Sequence, residues 1–402
     1  MSSAESIVLY GATWCPDCRR SKAFLGEQRI PFTFVDLEVH PEENATVELL
    51  NDGKRVIPTI VFPDGSHLTE PSNDELAAKL GLQRDAGSSS YDVVIVGGGP
   101  TGLTTAIYAA RENLRTLVIE RSALGGQAGV TERLDNYPGF PEGIGGAELA
   151  DRFAAQAARY GVEMLTAVSV TALASDAGSV SVTTSAGQEL RAGAVLVATG
   201  STYRRTGAPG EADLIGAGIH FCATCDGPFY RGADEVVVIG GGNSGFEEGL
   251  FLTQFAEHVT IIEAGDTPRA SRLLQDKVAA HERMTVLTNT QVTAFTEGEG
   301  GKLGSVELTH PDGSTTSHHA KAAFVFIGLD PNAGWLNGSV EVDEIGFIVT
   351  NRNLETSLPG VFAAGDVRAG STKQLAAAVG EGAAVALQIR HHLDVLSAGT
   401  PK

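Results

Sequence analysis

The 402-residue chain is 42% hydrophobic and carries a net charge of −20. That length supports two or three domains with real cores, and the acidic balance excludes nucleic acid and anionic membranes as partners, which need clustered Lys and Arg. No apolar run approaches the ~18 residues of a membrane span, and Met1–Ser6 has no basic n-region, so the chain is expected in the cytoplasm.

In chain order, residues 1–81 read as a complete small α/β unit. A strand over 6–10 is followed by a helix after Cys15, a strand over 32–36, a helix over 41–51, short strands at 59–62 and 66–68, and a helix over 72–80. Residues 82–90, with Gly87 and three serines, read as a flexible linker; its last eight residues span about 16 Å as coil, letting the small domain swing. Val93–Val96 then forms a continuous apolar run, as in a parallel strand buried on both faces, with a helix and a strand over 116–120 behind it. The same grammar recurs at Glu235–Ile239, again with a helix and then a strand over 259–263. These are two βαβ units.

Each unit carries a glycine fingerprint between its strand and its helix. In the first, Gly97, Gly99 and Gly102 enclose Pro100 and Thr101, and Glu120 follows Gly97 by 23 residues. In the second, Gly240, Gly242 and Gly245 enclose Asn243 and Ser244, and Glu263 follows Gly240 by the same 23. The glycines permit a tight turn and close backbone approach, the helix start receives a pyrophosphate, and the acid meets ribose hydroxyls. All four cysteines lie in Cys-x-x-Cys pairs, Cys15/Cys18 and Cys222/Cys225, the spacing of reversible dithiols. Two dinucleotides beside dithiols point to a flavin that takes hydride from a nicotinamide and delivers electron pairs to thiols.

From Tyr91 to about Leu393 the chain resembles the low-molecular-weight thioredoxin reductases and the flavoprotein subunit of alkyl hydroperoxide reductase. The likeness rests on Gly97–Gly102, Gly125-Gly126-Gln127, Asn136–Gly139, Ala198-Thr199-Gly200, Cys222–Gly227, Gly240–Gly245 and Ala363–Asp366. It implies FAD on the first fingerprint, approached by Gly126, Gln127, Asn136, Thr199, Gly200, Gly365, Asp366, Lys373 and Gln374. It also implies a nicotinamide domain at 207–329 inserted between FAD-domain parts 91–206 and 330–402, and a homodimer. By the same resemblance Cys225 faces the flavin, Cys222 attacks the outgoing substrate, and Asp226 is the acid or base for the thiols; helix capping is the alternative for Asp226. Dithiol and nicotinamide ride on one domain yet must reach one flavin, so rotation about hinges near Thr206–Gly210 and Gly328–Pro331 is expected. NADPH-using members carry His-Arg-Arg where this chain has Glu263-Ala264-Gly265. A carboxylate repels a 2′-phosphate, which favours NADH over NADPH, although Arg269 leaves room for some NADPH binding.

Trp14–Cys18 opens a helix, so Cys15 gains thiolate character from backbone N–H groups and the helix dipole; Arg19 and Arg20 add to this and Asp17 opposes it. Residues 6–80 resemble a glutaredoxin of the mycoredoxin-like kind through Thr13–Cys18, Val56–Thr59 and Asp64–Ser66. The resemblance implies catalytic Cys15 and Cys18 with a cis Pro58 opposite. The glycine pair and aspartate that hold glutathione in glutaredoxins are not evident in His67–Ser72. A shared zinc site is disfavoured because the two cysteine pairs lie in separate domains, and no other residues have metal-ligand spacing; His318-His319 reads as a solvated hairpin.

The expected protein is thus α/β throughout: a thioredoxin-fold, glutaredoxin-like unit joined to a two-Rossmann FAD and NAD(P) disulfide reductase. Electrons would run from NADH to FAD, to Cys222/Cys225, to Cys15/Cys18, and on to a protein disulfide, with a peroxiredoxin the preferred acceptor. The alternatives are an NADPH-dependent reductase of a separate thioredoxin or small disulfide, and a dithiol redox sensor without sustained turnover.

Overall fold

The computed structural model describes residues 6–399 apart from 132 and 177; the outermost residues of the first and last expected units, 1–5 and 400–402, lie outside it. In the N-terminal unit β1 (Ile7–Gly11) runs parallel to β2 (Phe32–Asp36) and antiparallel to β3 (Thr59–Val61), which pairs with β4 (His67–Thr69). Helices α1 (Pro16–Glu27), α2 (Asn44–Leu50) and α3 (Asn73–Lys79) complete it. The helix expected over 41–51 is divided: 41–43 is a 3₁₀ turn, and the Asn44 side chain donates back to Pro41 O at 2.9 Å, a local bond that competes with regular helix. Ser72 and Glu75 form the capping box of α3.

The next unit is built on β5 (Ser90–Val96), α4 (Pro100–Arg111), β6 (Thr116–Ile119), α5 (Gly146–Arg159) and β7 (Glu163–Leu165), followed by the meander β8 (Val170–Asp176), β9 (Ser179–Thr184) and β10 (Glu189–Val197). Strands β7, β6, β5 and β10 are parallel neighbours in that order. Along β5, Val94 and Val96 enter one core while Val93 and Ile95 enter the other, the two-faced burial that a continuous apolar run encodes.

After β11 (Ser201–Tyr203), the short helix α6 (Glu211–Leu214), β12 (Ile219–His220) and α7 (Ala223–Asp226) lead into a second parallel sheet. It continues with β13 (Glu235–Ile239), α8 (Asn243–Leu252), β14 (His258–Ile262), α9 (Arg272–Ala279) and β15 (Met284–Leu287); β16 (Gln291–Glu297), β17 (Leu303–Thr309) and β18 (Thr315–His319) then form a separate antiparallel sheet, and β19 (Ala322–Val325) returns to the parallel one. The order is β12-β19-β13-β14-β15. His318, expected as solvated surface, is half-buried in β18 with Nε2 3.2 Å from Oε1 of Glu235, the first residue of β13 in the neighbouring sheet.

The chain returns through β20 (Leu329–Pro331), which pairs antiparallel with β11, and Arg204 and Asp330 form a 2.7 Å ion pair beside this ribbon. Strand β21 (Val361–Ala363) then joins β10, and α10 (Leu375–Gly399) packs on α4, where a Cβ on Gly382 would stand 2.6 Å from Thr101 O. Among the described residues no helix is long and apolar enough to cross a membrane.

The segment 83–90 is not the free tether its composition implies. Glu163 collects three donors: Gln83 Nε2 at 3.1 Å, Gly87 N at 2.6 Å and Tyr91 OH at 2.6 Å. Gln188 Oε1 accepts from Ala86 N at 3.0 Å, and Thr166 N donates to Gln83 O at 3.0 Å. Gly and Ser leave the linker amides open to partners that lie far away in sequence.

Candidate active site

The two glycine fingerprints fold into matching cradles. A Cβ on Gly97 would lie 2.3 Å from Ala198 O, and one on Gly102 would lie 1.9 Å from Gly97 O; both positions are closed to any side chain. Gly99 differs, since its nearest neighbour would be Gly126 Cα at 4.0 Å. In the second cradle Gly240 would meet Phe326 O at 2.4 Å, Gly245 would meet Gly240 O at 1.9 Å, and Gly242 faces open space. Packed first and third glycines with an open second glycine match the division of labour in a dinucleotide site. Gly99 and Gly242 are the extended N-caps of α4 and α8, so Pro100, Thr101, Asn243 and Ser244 form the first helical turns there. Thr101 is buried, and Asn243 Oδ1 accepts from Ser271 N at 2.7 Å.

Each fingerprint acid is tied to its own loop. Glu120 accepts from Gly98 N at 2.7 Å and from Ser122 N at 2.8 Å. Glu263 accepts from Gly241 N and Gly265 N, both at 2.7 Å.

The middle dithiol is a Cys222–Cys225 disulfide whose Cα atoms are 5.3 Å apart. Cys222 caps α7, its Sγ accepting from Cys225 N at 3.2 Å. The disulfide is seated on the first dinucleotide unit: Asn136 Nδ2 is 3.8 Å from Cys225 Sγ and 3.4 Å from Gln374 Oε1, and Gln374 Nε2 reaches Thr224 Oγ1 at 3.4 Å. Asp226 makes no cap hydrogen bond. Its Oδ2 faces His220 Nδ1 at 3.5 Å, and His220 Nε2 bonds Tyr230 OH at 2.6 Å. No sequence pattern singled out His220; its place two residues before Cys222 is the only available signal. Tyr203, stacked on Phe221 at 5.2 Å, is held neutral to about 12 by burial and by the carboxylates of Asp366, Glu248 and Asp226.

Around the first cradle, Gly126 (φ 53°) precedes an exposed Gln127, and Gly200 and Gly365 also have positive φ, 68° and 76°. Thr199 exchanges two 2.8 Å bonds with Asn332. Burial pushes the Asp366 carboxyl up, while Lys373 and Ser371 draw it down. Lys373 is turned inward, its Nζ donating to Asp366 O at 2.7 Å and lying 4.1 Å over the Phe347 ring.

In the N-terminal unit Cys15 and Cys18 are free thiols. Cys15 is the N-cap of α1, and its Sγ accepts from Cys18 N at 3.1 Å and lies 4.0 Å from Ile57 O; the Ile57–Pro58 peptide is cis. Burial, then the Cys15 thiol, raise the Cys18 thiol to about 12. Arg20 does not serve Cys15: it pairs with Asp17 and with Pro71 O, cancelling the charge that opposes a thiolate. Gly11 went unnoticed in the sequence, yet a Cβ there would stand 2.7 Å from Cys18 Sγ. Among the described residues no group of three or more His, Cys, Asp or Glu is placed to hold a metal.

The model of pyridine nucleotide-disulphide oxidoreductases matches residues 91–382. The chain belongs to this family. The glutaredoxin model matches residues 7–68 of the same chain. The reductase is 39% identical over 307 residues to the thioredoxin reductase of Bacillus subtilis (strain 168), covering 76% of this chain and 96% of that one. It superposes on the thioredoxin reductase of Streptococcus pyogenes MGAS5005 with a TM-score of 0.72 at 35% identity, covering 76% and 99%. On Lactococcus lactis thioredoxin reductase in its FR conformation, identity and both shares are the same but the TM-score is 0.52. The resemblance read from the motifs therefore holds: this is a thioredoxin-reductase-like flavoprotein disulfide reductase with a fused glutaredoxin domain, and its cofactors are FAD and a nicotinamide dinucleotide.

Proposed function

We propose that the reductase uses NADH and passes electrons through Cys222/Cys225 to the fused Cys15/Cys18 dithiol and then to an outside protein disulfide, with a peroxiredoxin as the preferred acceptor. The observation that carries this reading is the Cys222–Cys225 disulfide seated against Asn136 and Gln374 of the first dinucleotide unit. The Gly97–Gly102 cradle would hold FAD, which when bound would supply the electron pair that opens this disulfide. Cys225 receives the contact from the flavin-side residues, which leaves Cys222 to attack the next disulfide. Asp226, buttressed by His220, holds or returns the proton of the leaving thiol.

The outgoing thiol must leave the flavin-side seat to meet a partner. Equal identity with unequal superposition on two relatives is what two arrangements of the same domains give, and it supports rotation about the β11–β20 ribbon as the step that exposes Cys222. The Glu263 carboxylate, placed on the Gly241 and Gly265 amides, supports NADH over NADPH because it would repel a 2′-phosphate. A homodimer is proposed with this reading.

The test is an anaerobic NADH titration of the oxidised protein, following flavin absorbance while counting free thiols. Four new thiols per chain place both dithiols on one path. Two leave the N-terminal dithiol off it and favour the second reading, a reductase of a separate thioredoxin, which the name of the Bacillus subtilis relative supports.

A further inference from the structure

The end of α1 opposite Cys15 abuts the neighbouring unit, where Gln28 is buried, and its contacts are specific. Ala123 N donates to Glu27 O at 3.0 Å, and Gln28 Nε2 donates to Arg121 O at 3.3 Å. Arg29, just past the helix with φ 53°, spreads its guanidinium over one loop: Nη1 donates to Leu124 O at 2.8 Å and Nη2 to Gly126 O at 2.9 Å. That loop is tied to the first cradle. Gly125 N donates to Gly98 O at 2.7 Å, and a Cβ on Gly126 would stand 3.2 Å from Gly99 Cα. Gly99 is the open glycine at the start of α4, the one that a pyrophosphate must approach.

We infer that Arg29 is a positioning residue for FAD, supplied by the glutaredoxin-like domain: it holds the Leu124–Gly126 loop at the height over Gly99 that the dinucleotide requires. The inference rests on the reading of the first cradle as the FAD site. A planar fork that satisfies two carbonyls at once fixes the direction of the loop as well as its position. The fused domain is then part of the cofactor site as well as a carrier of electrons. The pinned 83–90 segment keeps it there.

The experiment measures FAD retention in the full chain, by the rise in flavin fluorescence on dilution and by reconstitution of flavin-stripped protein. Arg29→Ala is expected to weaken retention about tenfold, the loss of charge-assisted hydrogen bonds, and Arg29→Lys to fall between it and the parent. Gly129→Ala approaches the same contact from the other side, since its Cβ would lie 2.1 Å from Arg29 Nη1 and 2.4 Å from Nη2, displacing the flexible guanidinium without altering the glutaredoxin surface. It should loosen FAD in the same direction, and the double variant should lose no more than Arg29→Ala alone. If Arg29→Ala disturbs folding of its own domain, Gly129→Ala decides. Unchanged retention in either folded variant, or full additivity in the double variant, overturns the inference. A parent protein that binds no FAD would instead overturn the reading of the cradle.

Discussion

His220 Nδ1 stands 3.5 Å from Asp226 Oδ2, on the residue directly after Cys225. Its other ring nitrogen is committed to Tyr230 OH, so the ring is fixed and presents one edge to the carboxylate. Asp226→Asn should slow oxidation of the reduced dithiol by an acceptor about a hundredfold, the usual loss for a positioned acid or base, while the flavin still bleaches with NADH. His220→Ala should cost less and should also shift the pH profile of that step. Rapid mixing of reduced enzyme with acceptor across a pH series measures both.

Cys15→Ser should abolish reduction of protein disulfides by NADH while leaving flavin reduction intact. The comparison needs two readouts on one preparation: flavin absorbance after NADH, and acceptor thiols released. Normal acceptor reduction by this variant would remove the fused dithiol from the path.

Glu263 holds two loop amides besides facing the second cradle. Glu263→Ala should therefore raise KM for NADH about tenfold, the effect of one lost charge-assisted bond, with a smaller rise for NADPH. Steady-state kinetics with the two nicotinamides check it, and an equal rise for both would mean that Glu263 only braces its loop.

Burial raises the reduced Cys18 thiol to about 12 from an ordinary 9.0. The unfolded chain releases this proton first as pH climbs, so the native state binds more protons between those values. Stability owed to Cys18 is then fully present below pH 9 and lost as pH rises toward 12. Urea denaturation of the reduced protein should show this alkaline decline, and Cys18→Ala should flatten it.

Much of this molecule could be read from its residues because the signals were local. Val93–Val96 and Glu235–Ile239 are strands of the two parallel sheets, with the glycine turns directly after them, since a strand buried on both faces must be apolar throughout. Pro16 directly after Cys15 marked the start of α1. What the residues do not show depends on partners distant along the chain. Gln83–Ser90 has the composition of a tether, but Glu163 and Gln188 hold its amides. Arg29 carries no signal in the sequence, because its two carbonyl partners, Leu124 and Gly126, belong to another domain.

The β11–β20 ribbon also bears on how such a chain could arise. Thr202 and Asp330 face each other across it, so the inserted unit begins and ends within one strand spacing, about 5 Å. A segment whose two ends meet can be spliced into a host sheet, or removed from it, without moving the strands on either side. The ribbon is therefore a natural seam, across which the inserted unit could be exchanged without disturbing the sheet that carries the first glycine cradle.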